Sequence, residues 1–133
     1  MGAGSDQVHH ISSASEFDAL LSSTRYVVTD FYADWCGPCR MIAPFYAQMA
    51  SNLSIPGFLA FAKVNVDTIG ALAMRYNIAA MPTFMFFKDG KQVAVNGNKI
   101  IQGADKVTLE QAVGKVARLA REKADAAASG QNA

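Results

Sequence analysis

The chain has 133 residues, a length that suits one compact domain. With 51% of them apolar it can fill a core and is no disordered segment. A formal net charge of +1 without clustered Lys or Arg argues against nucleic-acid binding, and no apolar run approaches the roughly 20 residues that cross a bilayer.

Residues 1–10 are polar and lack the basic-then-apolar order of a secretory signal. A myristoylation pattern starting at Gly2 would need Ser or Thr where Asp6 stands. A cytoplasmic protein without a membrane attachment is therefore expected. A first strand is expected near His9 to Ile11. Ser13-Ala14-Ser15-Glu16 has the spacing of a capping box, and Phe17, Leu20 and Leu21 then share one helical face. Tyr26 to Ala33 is rich in β-branched and aromatic residues and reads as a buried strand that runs into the segment Trp35-Cys36-Gly37-Pro38-Cys39.

After Pro38, Ile42, Phe45, Tyr46 and Met49 recur at helical spacing. Pro44 inside this helix should kink it, since its ring removes one hydrogen bond. Phe58 to Asp67 reads as a strand, and Ile69, Leu72, Ala73 and Tyr76 as a short helix. Thr83 to Lys88 is another strand, closed by the hairpin turn Asp89-Gly90. The strand after it is broken by a second turn signal, Asn96-Gly97-Asn98, before Lys99 to Gln102. Thr108-Leu109-Glu110-Gln111 is a second capping box, opening a helix with Leu109, Ala112, Val113, Val116 and Ala120 on one side. Beyond Lys123 the composition falls to small and polar residues, so residues 1–123 are expected to form a single domain and 124–133 a flexible tail.

Strands joined through helices run parallel, whereas a tight turn demands an antiparallel pair. The expected fold class is α/β, a mixed central sheet with helices on both faces.

The chemistry lies in the two cysteines. Three residues apart at a helix start, their sulfurs share one turn and can bridge. Cys36 falls at the helix N-terminus, where unpaired N–H groups and the helix dipole favour an anion and lower a thiol pKa. Cys39, a turn deeper, should stay protonated. Pro38 offers the Cys36 sulfur neither an N–H nor a polar side chain, so the dithiol gives up electrons readily, which favours a reductase over an oxidant. Zinc or an iron–sulfur cluster would need more ligands than this chain provides. There is no third cysteine, and the only histidines, His9 and His10, adjoin each other far away in sequence. No metal is expected. A binding module that uses the same surface without turnover remains an open alternative. Asp30 is a lone carboxylate in an apolar strand, where burial would raise its pKa and suit it to proton transfer.

Together these segments resemble the thioredoxin family from about Val8 to Ala120: Asp30-Phe31-Tyr32-Ala33-Asp34-Trp35-Cys36-Gly37-Pro38-Cys39-Arg40, Pro44, Lys63-Val64-Asn65-Val66-Asp67, Met81-Pro82-Thr83 and Gly103. The resemblance implies a thioredoxin fold and a protein-disulfide reductase. It carries no bound cofactor beyond the redox-active Cys36–Cys39 pair, and a flavin-containing, NADPH-dependent thioredoxin reductase recycles it. Catalytic cysteines of this kind, those of thioredoxins among them, ionise at roughly 3.5 to 7.5. By resemblance Cys36 is the attacking and Cys39 the resolving cysteine. Asp30 is a buried carboxylate beneath them, Lys63 a lysine beside that carboxylate, and Gly37 and Pro38 the residues that tune the pair. Pro82 follows a cis peptide bond. Trp35, Met81, Pro82, Gly103 and Ala104 form the surface where an extended segment of a disulfide-containing target docks.

Three departures from the family pattern stand out. Tyr32 replaces a Trp found in many relatives, residues 94–99 look inserted in the last hairpin, and the chain continues past the usual end through Arg118, Arg121 and Lys123. No segment offers an interface for a stable oligomer, so a monomer is expected.

Overall fold

A computed structural model describes residues 7–130. The expectations for residues 1–6 and for the last three residues of the tail lie outside that range.

The elements follow in the order β1 (Val8–His10), α1 (Ala14–Ser23), β2 (Tyr26–Tyr32), α2 (Gly37–Leu53), β3 (Leu59–Asn65), α3 (Gly70–Arg75), β4 (Thr83–Lys88), β5 (Lys91–Val93), β6 (Ile100–Gln102) and α4 (Lys106–Ala128). The strands form one mixed sheet in the order β1-β3-β2-β4-β5, with β6 also paired to β4. β1, β3 and β2 run parallel, whereas β4 is antiparallel to β2, β5 and β6.

Side chains alternate across a strand, so each strand feeds two cores. Tyr26 and Val28 of β2, Phe61 of β3 and Phe84 and Phe86 of β4 face α2 and α4, meeting Ile42, Tyr46, Leu109 and Val113. Val27 and Phe31, Ala62 and Val64, and Met85 and Phe87 face the other way, onto Phe17, Leu21 and Leu72 of α1 and α3. Asp30 belongs by this alternation to the α2 side, so a carboxylate sits in a row of otherwise apolar inward positions.

Helix ends follow local chemistry, with some departures from expectation. Ser13 caps α1 through a hydrogen bond from the Glu16 amide to its hydroxyl, as the capping box predicts. Glu16, however, reaches back to the amide and hydroxyl of Ser12 rather than to Ser13. α2 runs unbroken through Pro44. α4 begins two residues before Thr108, because the Asp105 carboxylate accepts the Thr108 amide and takes the capping role. Lys106 then lies over the Phe45 ring of α2, 3.9 Å from its centroid, which pins this start against the neighbouring helix. Asp105→Ala should therefore cost about 1 kcal/mol in urea unfolding, whereas Thr108→Ala, now within a helical turn, should be close to neutral.

α4 also continues to Ala128, past the expected domain boundary at Lys123. Alanine is the strongest helix former, and the run of Ala124, Ala126, Ala127 and Ala128 extends the helix where composition alone suggested a tail. Both predicted turns are present. Asp89-Gly90 and Asn96-Gly97 each place two consecutive residues at positive φ, as two-residue hairpins require. The second is a small hairpin closed by the Val95–Asn98 bridge, with Val95 buried in the α2-side core.

No helix among the described residues is long and apolar enough to cross a membrane.

Candidate functional site

The site forms where β2 hands over to α2. β2 carries Asp30 and Tyr32 to the sheet's end, a short turn presents Asp34 and Trp35, and α2 begins at Gly37. Cys36 occupies the N-cap of α2, and its sulfur accepts the Cys39 amide at 3.1 Å. Oxygen side chains normally perform that task. Pro38 lies within the first turn and has no N–H, so the Cys39 amide is the donor the cap receives. Cys36 and Cys39 are joined as a disulfide with Cα atoms 5.2 Å apart.

Both cysteines are buried, Cys36 4% and Cys39 3% accessible. Position distinguishes them instead, one at the helix cap and the other inside the first turn. Ala33 packs with both sulfurs, and Tyr32, Val66 and Met81 flank them.

The remaining sequence-predicted residues converge on this disulfide from distant parts of the chain. The Met81–Pro82 peptide bond is cis. The Met81 carbonyl oxygen lies 3.5 Å from the Cys36 sulfur. Gly103, at positive φ where a side chain would be strained, donates its amide to the Pro82 carbonyl at 2.8 Å. The hairpin at 94–99 therefore leaves Gly103 beside Pro82, and Ala104 follows it as an exposed residue. Trp35 is 66% exposed, with its indole N–H fixed on Asp67 Oδ2 at 2.9 Å. Gly37 needs no special conformation, and a Cβ there would meet nothing within 4 Å.

Asp30 is fully buried, and neither carboxylate oxygen has a hydrogen-bond partner. Burial pushes its pKa from 3.8 to about 7, against a smaller opposing pull from Lys63. Lys63 is the register partner of Asp30 on β3 and is half-buried. Its ammonium stands 4.3 Å from the centroid of the Tyr32 ring.

The sequence assigns no role to some participants, although Asn65 and Asp67 lie in a segment of the family resemblance. Asp67, which anchors Trp35, lies 32 residues away from it. Asn65 ties the same loop together, its Oδ1 accepting the Asp67 amide and its Nδ2 reaching the Asp34 carboxylate at 3.3 Å. Tyr46 looks like a core aromatic in sequence. Its buried hydroxyl in fact lies 3.0 Å from the Val28 carbonyl and 2.8 Å from that of Ala62, fastening α2 to β2 and β3. No group of three or more His, Cys, Asp or Glu among the described residues is arranged to hold a metal ion.

The family sequence model described as Thioredoxin matches residues 8–115. A curated thioredoxin from Neurospora crassa is 63% identical over 125 residues, spanning 94% of this chain and 98% of its own length. The chain belongs to the thioredoxin family. Thioredoxin-1 of Saccharomyces cerevisiae is 40% identical over 106 residues, covering 80% of this chain and 95% of its own. Among solved structures, a Plasmodium falciparum thioredoxin superposes with a TM-score of 0.72 at 36% identity, covering 80% of this chain and 97% of that one. The fold is the thioredoxin fold, and Cys36 and Cys39 form its redox-active disulfide. The protein is a thiol–disulfide oxidoreductase of the protein-disulfide reductase type, acting on disulfides of other proteins.

Proposed function

We propose that Cys36 is the attacking and Cys39 the resolving cysteine of this reductase, with Asp30 as the proton acceptor between the two steps. The observation that carries this assignment is the cap geometry: the Cys36 sulfur holds the Cys39 amide at the positive end of α2. In the reduced protein the same amide and the helix dipole stabilise a thiolate on Cys36. That thiolate attacks one sulfur of a target disulfide. A Cys36–target disulfide forms, and the other target sulfur leaves as a thiolate and takes up a proton.

Asp30 then takes the proton of Cys39. The Cys39 thiolate attacks the Cys36 sulfur, and the second target sulfur departs. Two electrons have passed to the target, and the pair is left as the disulfide seen in the structure. A carboxyl group titrating near neutrality can both accept and release a proton at working pH, and burial without hydrogen-bond partners supports this role for Asp30. Pro38 and Gly37 tune the pair by what they omit, and Lys63 by its charge beside Asp30. Trp35, Met81-Pro82 and Gly103-Ala104 form the docking face. Its support is the exposed Trp35 ring and the Gly103–Pro82 hydrogen bond that fixes the backbone edge beside the sulfurs.

A flavin-containing, NADPH-dependent thioredoxin reductase returns the electron pair. A reductant of this kind suits a reducing compartment, which supports a cytoplasmic setting. The test is reduction of a simple protein disulfide with NADPH and a thioredoxin reductase. Wild type should turn over, and Cys36→Ser should fall to the rate without protein; turnover by Cys36→Ser would remove Cys36 from the first step. A binding module without turnover would give one stoichiometric reduction and no recycling.

A further inference from the structure

On the parallel β2–β3 pair, Asp30 lies directly opposite Lys63, and Tyr32, two residues further along β2, projects from the same face. Tyr32 is thus the diagonal neighbour of Lys63, within reach of a long side chain. Its ring takes up that position, with the Lys63 ammonium 4.3 Å from the centroid. The other side of the aromatic contact is the redox pair, because Tyr32 packs against the cluster of Ala33, Cys36 and Cys39.

Lysine has a long stem that can carry its charge into solvent. Among the described residues the Lys63 ammonium has no ion pair and no side-chain hydrogen bond, which leaves the Tyr32 ring as the contact that keeps it beside β2. We propose that Tyr32 is a positioning residue: the face of its ring holds the Lys63 ammonium next to Asp30 and thereby sets the pH at which Asp30 exchanges its proton. The inference rests on the reading of Asp30 as the proton acceptor for its functional meaning, though not for its geometry.

The other groups near Asp30 leave this role to Lys63. The Tyr46 hydroxyl of α2 is neutral, pushed well above its ordinary pKa by burial and committed to two backbone carbonyls. Tyr32 itself is also held neutral, by burial first and the Asp34 carboxylate second. The cysteines do not titrate as a disulfide. The side chains that α4 packs against this core, Leu109, Ala112, Val113 and Val116 among them, are apolar, and β4 places Phe84 opposite Asp30. His10 stands across Lys63 on β1, one strand further from the carboxylate.

The experiment follows the Asp30 carboxyl carbon by NMR against pH in the oxidised protein, where neither cysteine can titrate. Tyr32→Leu removes the ring and should move the midpoint up by about half a pH unit. Tyr32→Phe keeps the ring and should leave the midpoint unchanged. In a Lys63→Met background, Tyr32→Leu should produce no further shift, because the cation it positions is gone. A downward shift for Tyr32→Leu would overturn the proposal and reduce Tyr32 to a cover against water, since hydration lowers the midpoint of a buried carboxyl. No shift would overturn it too, and so would an equal upward shift without Lys63, which would mean that the ring acts on Asp30 without the cation. The pH profile of mixed-disulfide resolution should follow the same order. If Asp30→Asn leaves that profile untouched, the catalytic reading of Asp30 fails, and the NMR midpoints still judge the Tyr32 contact.

Discussion

Cys39→Ser is expected to turn the protein from a catalyst into a trap. The first step uses only the Cys36 sulfur, and the hydrogen bond that supports its thiolate comes from the backbone amide of residue 39, which serine keeps. Attack on a target should therefore proceed and leave a covalent adduct on Cys36. Resolution fails, because the hydroxyl of serine is no nucleophile towards a disulfide at neutral pH. Well-oriented neighbouring groups act at effective concentrations on the order of 10⁵ M or more, far above any free thiol, so turnover should drop by several orders of magnitude. Mass spectrometry of the variant mixed with a cell extract, without added reductant, should show target proteins joined to Cys36. A Cys36→Ser, Cys39→Ser double variant should capture none. Adducts of equal yield on both would contradict the assignment, as would catalytic turnover by Cys39→Ser.

What could be read from the chain and what could not divides along the range of the interactions. The β-branched and aromatic run of β2, the strand Thr83–Lys88, the Asp89-Gly90 and Asn96-Gly97 turns and the apolar face of α4 are local patterns, and each appears in the structure where the pattern places it. The redox pair was equally legible, since Cys36, Pro38 and Cys39 meet within a single helical turn. The start of α4 was misplaced because Asp105 and Thr108 are both capable caps. The choice between them depends on where the chain leaves Gly103 and on the Lys106–Phe45 contact, both tertiary. The helical run to Ala128 is hard to see in the sequence for a different reason: an Ala-rich segment is low in information yet high in helix propensity. The Trp35–Asp67 hydrogen bond and the Lys63–Tyr32 stack join separate loops and strands, and only the folded register creates them. The functional core was thus written locally, and its supports were not.

Asp30→Asn is expected to stabilise the protein strongly at alkaline pH and hardly at all in acid. In the folded chain the Asp30 carboxyl titrates at about 7 against an ordinary value of 3.8, because burial penalises its charged form. Between those two pH values the folded state holds a proton that the unfolded chain has released. Stability contributed by this group therefore falls as pH rises from about 3.8 and levels off above about 7. A displacement of about three pH units, at 1.36 kcal/mol each, amounts to about 4 kcal/mol once Asp30 is ionised in the fold. Asparagine matches the protonated acid in shape and stays neutral throughout, leaving a similar polar group without a partner. The variant should consequently equal wild type below about pH 4 and exceed it by up to about 4 kcal/mol above pH 8. Denaturant unfolding of the oxidised forms at the two pH values measures this directly, and a difference independent of pH would mean that Asp30 holds no displaced proton. The same substitution should slow resolution of the mixed disulfide, since the acceptor for the Cys39 proton is gone. Under the proposed mechanism, that stability is what the fold gives up to keep a proton acceptor beneath the redox pair.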